Sequence, residues 1–439
     1  VGLGATGLSC ARYLYKQGAS FSVIDTRRDP PGLAELSAEM PEVKVYTGVY
    51  PVELVEQARE LIVSPGLSMD DPLVRQALAA DVAVVGDVDL FMREAAAPVV
   101  GITGSNAKST VTELVGQMAA AAGLNVGVGG NLGPPALDLL EDGCQLYVLE
   151  LSSFQLERAG ELGLAVAAVL NVSADHLDRH GSMPAYHAAK HRIFRGCDKV
   201  VVNRDDPLTI PLVGPRVDVI SWRLGEPELN GFGVREIDGE RWICHGFEAL
   251  MNVSEMRLAG RHNLANGLAA LALGHAAGLA FEPMLSTLRS FRGLPHRCQQ
   301  VAEIGGVRYI DDSKGTNVGA TQAALVGLGD GENLVLLAGG QGKGADFSQL
   351  REPVSRHCKL LVLFGEDAGL LETSLEGCAP VIRADSLEGA VKIAVDQARR
   401  GDTVLLSPAC ASLDMFSSYV ARGEAFQAAV QAIAGVAHD

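Results

Sequence analysis

Short apolar runs recur along the chain, and each passes into a polar turn and then a stretch of helix formers. The clearest begins at Val99, Val100 and Ile102, continues through G-I-T-G-S-N-A-K-S-T at residues 101–110, and leaves as a helix over 111–122 that Gly123 stops. Further runs at 21–24, 60–63, 82–85, 146–149, 165–172, 334–337, 360–364 and 403–406 predict strands. Helical stretches are predicted over 8–17, 186–194 and 264–277. Strands alternating with helices imply an α/β fold with mostly parallel, helix-covered sheets. The polar loops of such a fold gather at the carboxyl edge of each sheet, where its ligands bind.

Strand, glycine-bearing turn, Lys-Ser and helix is the layout of a phosphate-binding loop. Backbone N–H groups and the helix N-terminus hold an anion there, with Lys108 reaching outer phosphates and Ser109 or Thr110 offering a hydroxyl to Mg²⁺. The strict template fails at both glycine positions, which hold Ile102 and Ala107. The alternative is an ordinary strand-to-helix turn with a solvated lysine.

Length and composition narrow the setting. A chain of 439 residues exceeds a single core and points to about three domains. We divide it at 1–86, 87–293 and 294–439. Fifty glycines and a 48% hydrophobic share with few aromatics fit many strand–helix turns. A formal charge of −17 argues against a nucleic-acid partner. Eight scattered cysteines without a C-x-x-C pair indicate reduced thiols rather than disulfides or zinc. No apolar run approaches the ~20 residues of a membrane span. The chain opens at Val1-Gly2 inside a motif, and residues completing a first strand are expected ahead of it.

Gly2, Gly4 and Gly7, with Asp25 ending the next strand, resemble a dinucleotide fingerprint, though any diphosphate-binding βαβ unit uses the same turn. Glu150 leaves a buried strand beside the phosphate loop, placed to reach Mg²⁺ or simply to face solvent. His176 and Asp178 follow the strand at 165–172, and Lys190 lies in a helical stretch where a surface lysine is the default. Asn263 and Asn266 fall on the first predicted turn of the 264–277 helix, able to cap it or to bind a base. Cys410, with no histidine near it in sequence, reads as structural.

Taken together, T-G-S-N-A-K-S-T, G-G-N-L-G (129–133), L-E-L-S-S-F-Q-L-E (149–157), D-H-L-D-R (175–179), His262-Asn263, L-P-H-R, D-S-K-G-T-N, G-G-Q-G-K and S-P-A-C-A-S resemble the Mur ligases of peptidoglycan synthesis over essentially the whole chain. The last three groups resemble the member that adds D-glutamate to UDP-N-acetylmuramoyl-L-alanine, and the D-N-P-R signature of the diaminopimelate- or lysine-adding member is absent. The resemblance implies a Rossmann-like N-terminal domain, a central P-loop ATPase-like domain and a C-terminal Rossmann-like domain. It implies ATP-driven amide formation through an acyl phosphate, by a cytoplasmic monomer acting on small molecules.

The resemblance also assigns roles. Gly104, Ser105, Asn106, Ala107, Lys108, Ser109, Thr110, Asn263, Asn266, Arg297 and Asp312 fall to ATP. Ala5, Thr6, Thr26, Arg27, Asn131 and His176 fall to the UDP-substrate, and Lys314, Thr316, Lys343, Ser412 and Tyr419 to D-glutamate. Ser109, Glu150, His176 and a carbamylated Lys190 fall to Mg²⁺, with Lys108, His176, Lys190 and Lys343 as the catalytic set.

Three positions depart from the pattern: Ala107 for glycine, Gln341 for an acidic residue and Tyr419 for phenylalanine. Ala107 is expected at negative φ, because an alanine in the left-handed region costs ~1–2 kcal/mol. Alternatives are another Mur or folylpolyglutamate-type ligase. From a different class comes an NAD(P)-dependent dehydrogenase, which leaves Lys108 and Glu150 without a role.

Overall fold

The computed structural model describes residues 1–49, 51–258 and 260–436. They form two compact units. The first comprises Val1–Val172, Pro184–Arg257 and Ala265–Phe291. The second comprises Ser173–Met183, Leu258–Leu264 and the described residues from Arg292 onward.

The first unit opens with two parallel strand pairs, Ser22–Asp25 with Lys44–Thr47 and Glu60–Ile62 with Ala83–Val85. Extended backbone at residues 1–2 joins them: the Gly2 N–H donates to the Ile24 carbonyl (2.8 Å) and the Ser64 N–H to that of Val1 (2.9 Å). The rest of the unit is built on nine strands. Their order is Glu248–Asn252, Glu240–His245, Gly231–Ile237, Asp218–Trp222, Lys199–Asn203, Val166–Val169, Val99–Thr103, Leu146–Glu150 and Val126–Gly130. Val99–Thr103 lies between Leu146–Glu150 and Val166–Val169, all parallel. Every residue of those three strands is buried. Such unbroken apolar runs are what a parallel sheet covered on both faces requires. The Lys108–Ala121 helix presses so closely on the sheet that a Cβ at Gly116 would sit 2.6 Å from Val128.

The second unit carries six strands in the order Gln299–Ile304, Val307–Asp311, Thr403–Leu406, Leu334–Gly339, Cys358–Phe364 and Val381–Arg383, parallel apart from the first pair. Its loops at Asp312, Gly340, Gly365 and Ser407 follow strand ends, as expected for this fold.

The sequence reading missed three hairpins, one of which pairs Glu240–His245 with Glu248–Asn252 around Gly246-Phe247. Gly231–Ile237 and Glu240–His245 pair antiparallel around Asp238-Gly239, both at positive φ. Gln299–Ile304 and Val307–Asp311 do the same around Gly305-Gly306. Asp-Gly and Gly-Gly are the pairs that a two-residue turn matching the strand twist demands. Several helices also begin earlier than expected. The helix after the phosphate loop starts at Lys108 rather than 111, and the one carrying the asparagines at Arg261 rather than 264.

Candidate active site

In the first unit, the segment after Val99–Thr103 wraps into the Lys108–Ala121 helix through Ala107, which sits at φ 68°, ψ −6°. This corrects the expected negative φ: only a left-handed residue there turns the chain into the helix at Lys108. The Lys108 ammonium folds back to donate to the carbonyls of Gly104 (2.9 Å) and Ser105 (3.1 Å). Ser109 and Thr110 are buried in the helix's first turn.

Asn171, to which the sequence reading gave no role, clamps this loop. Its Oδ1 accepts from the Asn106 N–H (2.8 Å), its Nδ2 donates to the Asn106 carbonyl (3.1 Å), and its own carbonyl accepts from the Ser105 N–H (3.0 Å). Lys190 is not a surface lysine. It is 1% exposed on the Met183–His191 helix, donates to the Gly104 carbonyl (2.8 Å) and lies 4.5 Å from the Tyr186 ring centre. The Tyr186 hydroxyl meets that of Ser105 at 3.1 Å.

Glu150 ends its strand buried, with Oε1 accepting from Asn131 Nδ2 (2.6 Å) and Oε2 buried without a hydrogen-bond partner among the described residues. Asn131 is set by its own N–H donating to the Glu150 carbonyl (2.8 Å). A Cβ at Gly130 would come within 2.5 Å of that carbonyl, so only glycine allows this approach. A buried carboxylate oxygen lacking a donor is costly unless a cation completes it. Glu150 Oε2 is the kind of hard oxygen that Mg²⁺ takes. Among the described residues no group of three or more His, Cys, Asp or Glu side chains is placed to hold a metal ion.

Ala5 and Thr6 open the Ala5–Lys16 helix, and Thr26 and Arg27 follow the strand that ends at Asp25. Both Asp25 oxygens are already engaged, Oδ1 by the Arg27 N–H and Nε, Oδ2 by the Leu3 N–H and the Arg27 guanidinium. Burial opposes its ionisation, yet Arg27 and the two backbone donors pull its pKa down to about 2. Asp25 is thus a brace for Arg27 rather than an acceptor for a ribose hydroxyl, which removes the motive for the dehydrogenase alternative. Arg158, also not anticipated, fixes the loop that follows Glu60–Ile62 through the carbonyls of Val63, Ser64 and Leu67.

In the second unit the organising side chain is Asp175, quoted in a motif but given no role. Its carboxylate accepts from Lys343 Nζ (3.2 Å), Asn317 Nδ2 (3.0 Å) and the His176 N–H (2.9 Å), with the His176 imidazole 3.6 Å away. Burial pushes its pKa up, but Lys343, His176 and Asn317 outweigh that and keep it below the usual carboxylate range. His176 and Lys343 both hold left-handed backbone, at φ 53°.

Asp312 accepts from the Ser407 hydroxyl (2.7 Å) and the Cys298 N–H (3.2 Å), beside Arg297. Lys314 stacks over the Tyr419 ring at 4.0 Å. Arg422, absent from the sequence reading and 1% exposed, ties the 312–317 and 407–412 segments together. It donates to the Ser313 hydroxyl (3.0 Å), the Ser313 carbonyl (2.8 Å) and the Cys410 carbonyl (3.1 Å). Thr316 lies in the first segment, and Ser412, buried, ends the second. Burial lifts the Cys410 thiol to about 12, consistent with its structural reading. Asn263 and Asn266 lie inside the helix begun at Arg261, so neither caps its start.

Family models match nearly the whole chain: the N-terminal domain of MurD-like Mur ligases at residues 1–86, the Mur ligase middle domain at 102–274 and the Mur ligase glutamate ligase domain at 296–410. The chain belongs to the Mur ligase family. Its fold is the three-domain Mur ligase architecture, with α/β sheets and helices. Among curated relatives, the UDP-N-acetylmuramoylalanine–D-glutamate ligase of Pseudomonas aeruginosa is 56% identical over 99% of this chain and 97% of its own. The enzyme of the same name from Marinobacter nauticus is 53% identical over the same shares. Solved Mur-type structures share the fold at low identity. A pseudomurein peptide ligase type C from Methanothermus fervidus aligns at TM-score 0.63 and 18% identity over 98% of both chains. The UDP-N-acetylmuramate–alanine ligase of Thermotoga maritima aligns at 0.60 and 18% over the same shares. Among the described residues no helix is long and apolar enough to cross a membrane.

Proposed function

We propose that this Mur ligase joins D-glutamate to UDP-N-acetylmuramoyl-L-alanine at the expense of ATP, in the cytoplasmic synthesis of peptidoglycan precursors, acting as a monomer. What carries the reading is the likeness, above half identity across the chain, to ligases of that name. The local chemistry agrees with it: a phosphate loop beside a buried carboxylate with one oxygen open, and lysines and hydroxyls on loops of the second unit of the kind a dicarboxylic amino acid needs.

In this reading, the substrate carboxylate attacks the γ-phosphorus of ATP, ADP leaves, and an acyl phosphate results. The D-glutamate nitrogen then adds to the acyl carbon, and the tetrahedral adduct expels phosphate and loses a proton to give the amide. Residues 104–110, Lys108 among them, hold the nucleotide phosphates. Within the first unit, Ser109, Glu150 and Lys190 would hold Mg²⁺, which when bound neutralises charge on the transferring phosphoryl group. Lys190 serves as a ligand only as a carbamate, formed when its neutral amine adds to CO₂ and sheds a proton.

Ala5, Thr6, Thr26, Arg27 and Asn131 bind the UDP-substrate. Lys314, Thr316, Lys343, Ser412 and Tyr419 receive D-glutamate, where cations and hydroxyls answer its two carboxylates. His176 and Lys343, oriented by Asp175, act on the developing charge of the tetrahedral adduct.

Phosphate release with ATP and UDP-N-acetylmuramoyl-L-alanine, measured over a panel of amino acids, tests the assignment. D-glutamate should be the only good acceptor, and equal turnover with another amino acid would overturn it. Turnover that rises with added bicarbonate in the wild type supports the carbamate; indifference to bicarbonate after exhaustive removal of CO₂ refutes it.

A further inference from the structure

Two histidines on the helix that carries Lys190 have no part in the ligase reading. His187 and His191 are one helical turn apart on Met183–His191, and their rings stack with centroids 3.9 Å apart and planes 28° apart. Both Nε2 atoms converge on a single atom, the Leu208 carbonyl oxygen, at 2.9 Å and 2.8 Å. We propose that His187, His191 and the Leu208 carbonyl form a second metal site, for a borderline transition-metal dication such as Zn²⁺, Ni²⁺ or Cu²⁺.

The spacing carries the argument. Ligand atoms about 2.1 Å from a tetrahedral Zn²⁺ lie about 3.4 Å apart, and those at the right angles of Ni²⁺ or Cu²⁺ about 3.0 Å apart. The two nitrogen–oxygen edges match the right-angle separation, so an ion can be received with small ring movements. The framework is fixed on both sides. On the helix, Tyr186, Ala189 and Lys190 are buried and hold its orientation. In the Pro207–Thr209 turn, Asp206 accepts from the Leu208 N–H (3.0 Å) and the Val172 N–H (2.9 Å), and the Thr209 hydroxyl donates to the Asp206 carbonyl (2.8 Å). Ligands pre-set by such supporting bonds lose little on binding.

Each neutral imidazole has one N–H. Moving it from Nε2 to Nδ1 turns the Nε2 lone pair toward the ion, so loading changes tautomers without net proton release. Both rings remain partly exposed, which leaves a path from solvent. Imidazole nitrogen selects these metals over Mg²⁺, which keeps oxygen ligands, so the site is distinct from the one at Glu150. Occupancy fastens the Lys190-bearing helix to the 207–209 turn and stabilises the fold.

Calorimetric titration of the full chain with Ni²⁺ or Zn²⁺ in excess Mg²⁺ tests this, using wild type, His187→Gln, His191→Gln and the double variant. Glutamine retains a donor for the carbonyl, and ligase turnover in Mg²⁺ alone, unchanged in all four, shows that the variants are folded. The wild type should take up one equivalent that each single variant binds at least about tenfold more weakly and the double variant loses. Ni²⁺ should raise Tm in the wild type and not in the double variant. Electron paramagnetic resonance of the Cu²⁺ form should show two coordinated nitrogens. Equal uptake and equal Tm shifts in wild type and double variant, no uptake at all, or a single-nitrogen spectrum would overturn the site.

Discussion

The phosphate loop of the first unit and the strand-end loops of the second solve one problem by different means. Each needs backbone in conformations that side chains resist, and among the described residues eight non-glycine positions have positive φ. Asp81 and Asp238 sit in ordinary turns. The other six, Ala107, His176, His296, Cys298, Lys343 and Ala409, lie in the loops that carry candidate site residues. Strain of this kind persists only where the surroundings over-determine it. The first unit spends one such residue and holds its loop with the Asn171 amide and backbone bonds, besides the Lys108 and Lys190 ammoniums that donate to the Gly104 and Ser105 carbonyls. The second holds five with buried charge: Arg422, the Asp175 cluster, and Asp311, which is fully buried and meets His296 at 2.7 Å and Gln427 at 2.8 Å. A charged brace is worth more and is more damaging to lose.

Arg422→Met should therefore be the most disruptive change. Burial lowers the guanidinium to about 10, so it stays charged at neutral pH while bonding two backbone carbonyls and a hydroxyl. Stranding those acceptors should cost about 3–5 kcal/mol in urea unfolding. It should also raise KM for D-glutamate at least tenfold while KM for the UDP-substrate holds. A loss under 1 kcal/mol would erase the contrast between the two units.

Next comes pH. Burial lifts Asp312 to about 6, against the opposing help of Ser407, the Cys298 N–H and Arg297. The folded carboxyl thus keeps its proton to higher pH than the unfolded one, whose reference value is 3.8. Its contribution to stability is full below about pH 4 and is lost as pH rises through about 6, a change of about 3 kcal/mol. Asp312→Asn should remove that slope, so the difference between variant and wild-type urea midpoints should widen over this window and level off above it. Parallel curves would show that Asp312 titrates normally.

Asn171→Ala should act more gently. It removes both amide bonds to Asn106 and leaves the backbone bond to Ser105, so about 1–2 kcal/mol is at stake. A rise in KM for ATP of about fivefold to thirtyfold, with KM for D-glutamate unmoved, is the expected result. A matching rise for both would mean that the loop is not a local device.

What the sequence made legible follows the same division. The strands around Val99–Thr103 were readable because a doubly covered parallel strand is apolar throughout, and the loop because lysine and hydroxyl follow such a strand directly. Two of the three hairpins were signalled by Asp238-Gly239 and Gly305-Gly306 but are short and mixed in polarity, so turn chemistry was their main cue. Asn171, Asp175, Arg158 and Arg422 were not legible as braces. Their partners are mostly backbone atoms or side chains distant in sequence, and no local pattern marks a residue that acts through carbonyls some ninety or a hundred positions away. Lys190 was misjudged from residue type alone for the same reason: its burial against Gly104 is a property of the packed helix.

The smallest effect is the sharpest probe of the comparison. Ala107 and Ala409 hold the same left-handed backbone, at φ 68° and 59°, but Ala107 is half-buried at a helix start while Ala409 is 1% exposed in the core of the second unit. Replacing either with glycine relieves ~1–2 kcal/mol of strain and returns about 0.4–1 kcal/mol through the freer unfolded chain. At Ala107 little else changes, so Ala107→Gly should stabilise by about 0.5–1 kcal/mol with kcat/KM within a few-fold. At Ala409 the buried methyl is also lost, about 0.8 kcal/mol, and the net should fall near zero or below. Urea midpoints of the two variants, measured side by side, separate the cases. If both substitutions stabilise equally, packing does not distinguish the two loops, and the second unit's left-handed residues are held by local backbone alone rather than by the buried network around Arg422.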